Sequence, residues 1–368
     1  MATLTEQEIE DIKKFDFFKI EKIGLLDEGK TTVKVYGEYK EHVPLVTIIV
    51  PTYKRPGMLK ETLSSIINQK GFDDFEVIVL DNECAPMDQM TETNELIVKL
   101  NNDKIVYYRN QDEILAREDR GIALARTEWV CVCHDDDMLA SNHMKIMTDI
   151  VSLHPEIDFL ACELKSFTSK DINAIKSANY IACRKGAAKY RKADVREGIF
   201  SRAGGWLGGF IRRSKYVEMG GMPSKELGMG DMVMVSKFCY YYSYYLVRLP
   251  LYYYRRSEVQ ASADKSNQIS ACLADYFFYR YAFEKIIGRH KILEDILCSY
   301  CILSYVRRLN SLGWNFKIDP REVSDMIGIK YVDIDNSARG YLYSFIWKKW
   351  AMYLNHYKTE DMIYYIPE

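Results

Sequence analysis

The chain has 368 residues, 48% of them apolar and 28% charged, with a formal net charge of -2. That balance fits a globular protein of one or two domains and excludes a binder held by general attraction to nucleic-acid backbones. No run reaches the ~18 apolar residues of a membrane span. The acidic, polar first residues carry no signal-peptide pattern.

Residues 1–44 read as an N-terminal extension, with a helix over 5–23 (Ile9, Ile12, Phe15 and Phe18 on one face) and a short strand over 31–39. From residue 45 the pattern alternates. Buried strands are predicted at 45–51, 75–80, 105–108 and 129–133, with helices at 58–69, 91–100 and 115–126 between them. Such a βαβαβαβ series implies a mainly parallel sheet with right-handed crossovers. The fourth strand stops at His134-Asp135-Asp136-Asp137. Three adjacent carboxylates repel one another, so either water or a cation neutralises them. A hard divalent ion, Mn2+ or Mg2+, suits their oxygens. The alternative is a helix N-cap with extra charge.

Further on, a helix over 143–153 and a strand over 158–164 precede a polar, basic stretch at 166–192 that reads as a mobile acceptor-side loop. Glycines crowd 204–209, around Trp206. Three helices are predicted in the C-terminal region, at 269–287, 293–309 and 341–357. The last mixes aromatics with Lys348 and Lys349. It has two readings: a helix lying on a membrane interface, or one docked on the rest of the protein. Nine cysteines, most inside apolar runs, predict buried thiols of a reducing compartment. Cys298 and Cys301 have no second ligand pair at zinc spacing and read as a core face.

Four motifs in order carry a resemblance. Val46-Thr-Ile-Ile-Val-Pro-Thr-Tyr-Lys-Arg55, Glu76-Val-Ile-Val-Leu-Asp-Asn82, Cys133-His-Asp-Asp-Asp-Met-Leu139 and Gly228-Met-Gly-Asp-Met-Val-Met-Val235 resemble the successive motifs of glycosyltransferase family 2. The resemblance covers about residues 45–258. It implies a GT-A α/β fold there, followed by a helical region at 259–368 that it does not cover. It also implies an inverting, metal-dependent transfer from a nucleotide-sugar donor, UDP-linked in the first instance, to a glycan or lipid-linked acceptor in bacterial surface-polysaccharide synthesis. The expected setting is cytoplasmic, with peripheral membrane contact through the C-terminal helices as one reading.

By position, Pro51, Thr52, Tyr53 and Arg55 match the first nucleotide-binding loop, and Asp81 matches the acid that contacts uracil or ribose. Arg117 lies in a helix that faces the nucleotide in relatives. The Asp-x-Asp motif falls on His134-Asp135-Asp136, with His134 in place of the first Asp. Asp136 is then the direct metal ligand, with Asp135 and Asp137 on ribose, metal or backbone. Trp206 is a sugar-stacking candidate. Asp231 matches the general base, and Glu226 is its understudy. Arg255 and Arg256 are candidates for the leaving group, beside Ser257, where relatives carry His. Two rival readings are a non-catalytic glycan-binding protein with a decayed site and a nucleotidyltransferase. The loop at 51–57 lacks the glycine pattern of the latter.

Overall fold

The computed structural model describes residues 5–20, 31–112, 117–177, 187–200, 205–222, 230–256, 264–311 and 315–366. In chain order the elements are α1 (Glu6–Lys14), β1 (Thr32–Tyr36), β2 (Val46–Thr52), α2 (Pro56–Ile67), β3 (Phe75–Asp81), α3 (Glu92–Leu100), β4 (Ile105–Asn110), α4 (Arg117–Leu124) and β5 (Trp129–Val132). There follow β6 (Met138–Leu139), α5 (His143–Leu153), β7 (Phe159–Phe167), α6 (Ile172–Ser177), β8 (Ala187–Lys192), α7 (Val195–Phe200), β9 (Gly205–Arg212), α8 (Arg213–Met219), α9 (Gly230–Tyr241) and β10 (Tyr244–Arg255). The chain closes with α10 (Lys265–Ile286), α11 (Lys291–Asn310), α12 (Pro320–Ile327), α13 (Ala338–Asn355) and β11 (Met362–Tyr365).

The expected α/β architecture is present. β2, β3 and β4 are buried along their whole length, as strands covered by helices on both faces must be. One sheet runs β1-β4-β3-β2-β5-β9-β7-β10-β8-β11, with β6 on β10. The run β4-β3-β2-β5 is parallel. Beyond it β9 lies antiparallel to both β5 and β7, and β10 returns parallel to β7. α4 lies directly on β2: a Cβ on Gly121 would stand 2.3 Å from Ile49 Cγ2, so only glycine fits at that approach.

Packing crosses both expected segment boundaries. β1, from the N-terminal extension, pairs with β4. Phe17 and Phe18, just after α1, pack edge-on against Phe278 of α10, the nearer at 5.4 Å. β11, within the region expected to be helical, pairs with β8. One apolar cluster includes Ile12, Val50, Phe159, Phe283, Trp350 and Tyr364.

The loop expected at 166–192 is corrected in its described parts. β7 extends to Phe167, Thr168 and Asp171 form a capping box, α6 follows, and β8 pairs with β10 and β11. Ala188 and Tyr190 turn inward while Lys189 and Lys192 stay out. This two-residue alternation is masked in a lysine-rich composition.

Candidate active site

The parallel run contains a topological switch. From β2 the chain moves to β3 on one side and later crosses to β5 on the other. The crevice at the carboxyl ends of such strands is where open α/β sheets take ligands. Register sets what meets there. Ile49 pairs with Val132, and the Cys133 N–H donates to the Ile49 carbonyl at 3.0 Å. Three residues further along each strand stand Thr52 and Asp135, and the Thr52 hydroxyl donates to the Asp135 carboxylate at 2.7 Å.

Asp135 is fully buried. It also accepts from the Tyr53 N–H at 3.3 Å and from the Arg55 guanidinium, which forks to Asp136 at 2.9 Å. Lys54, between them, takes a left-handed backbone (φ 52°), uncommon outside glycine. Burial raises the Asp135 pKa, against the Arg55 charge and the Thr52 bond.

Asp137 is held from β10 instead. The Tyr252 hydroxyl donates to it at 2.6 Å and the Arg255 N–H at 2.7 Å. Its carbonyl accepts from the Thr62 hydroxyl at 2.7 Å. Burial pushes its carboxyl up to about 7, against the attraction of His134. His134 has its Nε2 3.4 Å from a Glu118 oxygen, yet among the described residues that nitrogen has no hydrogen-bond partner. Burial opposes its charge, but Glu118, Asp137 and Asp136 outweigh it and raise the pKa to about 9.

One ligand atom from each of His134, Asp136 and Asp137 lies within 4.8 Å of the other two. Ligands bonded to one hard cation at 2.0–2.6 Å cannot lie more than about 5 Å apart. That spacing fits a divalent cation, which would have to displace the proton from His134 and its ion pair with Glu118. Asp135 is not in that set: its oxygens face Thr52 and Arg55.

The other expected residues divide. Pro51 and Thr52 are buried at the end of β2, and Tyr53 is 46% exposed at the rim. Asp81 stands beside Thr52 in register, 1% exposed, with the Tyr107 hydroxyl (2.7 Å) and the Glu83 N–H (2.9 Å) both donating to it. Burial raises its pKa. Trp206, the sugar-stacking candidate, is buried on β9, and its ring lies edge-on to that of His134 with centroids 6.4 Å apart. Arg255, expected at the leaving group, is a buried clamp. Its Nε donates to the Asp136 carbonyl at 2.6 Å and its Nη2 to Glu61 at 2.7 Å. Arg256 is exposed. Asp231 opens α9, exposed, and accepts from the Met232 N–H at 2.8 Å. Arg117 begins α4, but its side chain lies outside the described residues, as do Glu226 and Ser257.

Sequence reasoning missed Tyr252, Glu61, Thr62 and Glu118. Their bonds to the site join residues far apart in the chain, and nothing local marks them.

The profile described as Glycosyl transferase family 2 matches residues 47–184, which include Thr52, Arg55, Asp81 and His134 to Asp137 of this crevice. Residues 47–184 thus resemble the catalytic domain of that family. The chain is 30% identical over 138 residues to the abequosyltransferase RfbV of Salmonella typhimurium, covering 36% of this chain and 39% of that one. It is 30% identical over 110 residues to the GalNAc(5)-diNAcBac-PP-undecaprenol beta-1,3-glucosyltransferase of Campylobacter jejuni, covering 28% and 34%. The matches thus span well under half of these relatives' length. Among solved structures, S. aureus TarS in complex with UDP-GlcNAc is similar at 14% identity and a TM-score of 0.47, over 84% of this chain and 92% of that one. The mannosyltransferase PcManGT from Pyrobaculum calidifontis, in complex with GDP-Man and Mn2+, is similar at 15% identity and a TM-score of 0.46, over 86% and 85%.

Proposed function

We propose that this protein is an inverting, metal-dependent glycosyltransferase that moves a sugar from a nucleotide-sugar donor, UDP-linked, to a hydroxyl of a glycan or lipid-linked acceptor of a surface polysaccharide. The observation that carries this is the convergence of His134, Asp136 and Asp137 at the switch point, inside the domain that matches the family.

His134, Asp136 and Asp137 hold the cation, and the imidazole in that set favours Mn2+ over Mg2+, which prefers all-oxygen shells. A cation held there would supply positive charge to offset the negative charge developing on the departing diphosphate. Thr52, Tyr53, Arg55 and Asp81 hold the nucleoside, with the half-exposed Tyr53 ring offered to the base. Arg55 offsets the charge on Asp135 and Asp136. Asp231 takes the proton from the acceptor hydroxyl. That oxygen bonds to the anomeric carbon as the bond to the diphosphate breaks, and the configuration inverts. Asp231 is solvent-facing, as a base that meets an incoming acceptor must be.

The test is sugar transfer or donor hydrolysis with Mn2+, comparing wild type with Asp136→Ala and Asp231→Asn. Each variant is expected to lose about 10²-fold or more in turnover. Wild-type turnover in both would end the assignment.

A further inference from the structure

A cavity of about 660 Å3 lies among the C-terminal helices and shares no residue with the acidic crevice. Ligand pockets typically measure 300–1,000 Å3. Its walls come from α1, α10, α11, the turn after α12, and the first turns of α13.

The charges on those walls do not cancel. Three carboxylates line it, and each already has a cation. Arg280 pairs with Glu294 at 2.8 Å and with Asp295 at 2.7 Å, while Glu284 pairs with Arg289 at 2.6 Å. Lys291, Lys330 and Arg339 line the same cavity, and among the described residues none of the three is paired with a carboxylate. All three are exposed. Arg280 is shared by two carboxylates, so one negative charge remains against these three cations; the cavity keeps a net positive excess, and an anion can meet the three cations without displacing a salt bridge.

The space is far larger than a bare anion needs, since a water molecule's share of liquid volume is about 30 Å3. Its other groups suit hydroxyls and ring edges. The Ser299 hydroxyl and the Glu294 and Asp295 oxygens can accept from alcohols. Phe277, Tyr281 and Tyr343 supply apolar wall. We propose that this cavity is a second binding site, for a saccharide bearing a phosphate or carboxylate substituent. The cationic rim takes the charge and the wall takes the sugar. This inference is independent of the donor site.

The experiment is calorimetric titration of the full-length protein with its donor site saturated by UDP and Mn2+. The probes are glucose 1-phosphate, glucose and inorganic phosphate. Glucose 1-phosphate is expected to bind at least tenfold more tightly than either of the others. Lys330→Glu and Lys291→Glu, both at exposed positions, are each expected to weaken it severalfold, and together by tenfold or more, with unchanged thermal midpoint and unchanged UDP affinity. Inorganic phosphate binding as tightly as the sugar phosphate, no saturable binding at about 10 mM, or full affinity in the folded double variant would each overturn the proposal. Loss of UDP binding by the wild type would count against the donor-site reading alone.

Discussion

Glycine 208 supports the acidic crevice from below. It takes φ +71°, and a Cβ there would stand 2.5 Å from Tyr252 Cδ2, the ring whose hydroxyl holds Asp137. Gly208→Ala combines backbone strain with a clash and is expected to cost about 1–3 kcal/mol of stability. Chemical denaturation with Mn2+ titration would check this: the denaturation midpoint should fall, and Mn2+ affinity with it. The Gly208 carbonyl also accepts from His143 Nε2 at 2.6 Å. Burial lowers the His143 pKa to about 4. The unfolded chain binds that proton near pH 6.5, so stability is full above 6.5 and falls as the pH drops towards 4. The loss reaches roughly 3 kcal/mol. His143→Gln keeps a donor and cannot titrate, so its urea midpoint should vary less across that range. Identical pH slopes in the two proteins would refute this.

At the scale of elements, α13 resolves the two sequence readings into two faces. Tyr343, Trp350 and Leu354 are buried, and the helix packs on α11 and α7. Tyr341, Leu342, Phe345 and Met352 stand outward, each more than half exposed, beside exposed Lys348 and Lys349. No carboxylate occurs anywhere in the helix. An apolar stripe with lysines and no acids suits an anionic lipid surface. Among the described residues no helix is long and apolar enough to cross a membrane. Cosedimentation with vesicles containing anionic lipid is expected for the wild type and should fall about tenfold for Leu342→Glu with Phe345→Glu, as two buried apolar side chains are worth more than 1.4 kcal/mol. If wild-type protein ignores the vesicles, α13 only docks.

For the whole molecule, the helical region is part of the core rather than an appendage. Cys272, Phe278 and Phe283 of α10 are buried, and Phe17, Phe18 and Phe200 pack against that helix or its neighbours. A chain ending at residue 264 would expose these rings. Each buried aromatic or aliphatic side chain contributes about 1.5–3 kcal/mol, against a total stability of about 5–15. The truncated protein is expected to aggregate, read by size-exclusion chromatography. A soluble monomer that binds UDP would show that the first 264 residues fold alone.

Much of this was legible in the sequence. β2, β3 and β5 are largely apolar, and α10, α11 and α13 are long and rich in apolar residues. The motifs at 51–55, 81 and 134–137 mark the crevice because the chemistry sits at strand ends, where the apolar run stops. Signals for α12 were also present, with Asp319-Pro320 at its start and Gly328 at its end. Tertiary structure alone decided that β8 and β11 are strands, since each forms on an edge built by distant chain. It alone made Arg255 a clamp on Glu61 and the Asp136 carbonyl, and turned Trp206 inward. Apolar period and strand ends are properties of neighbouring residues, whereas a side chain's partner is fixed by sheet register, and register joins residues that the chain keeps far apart.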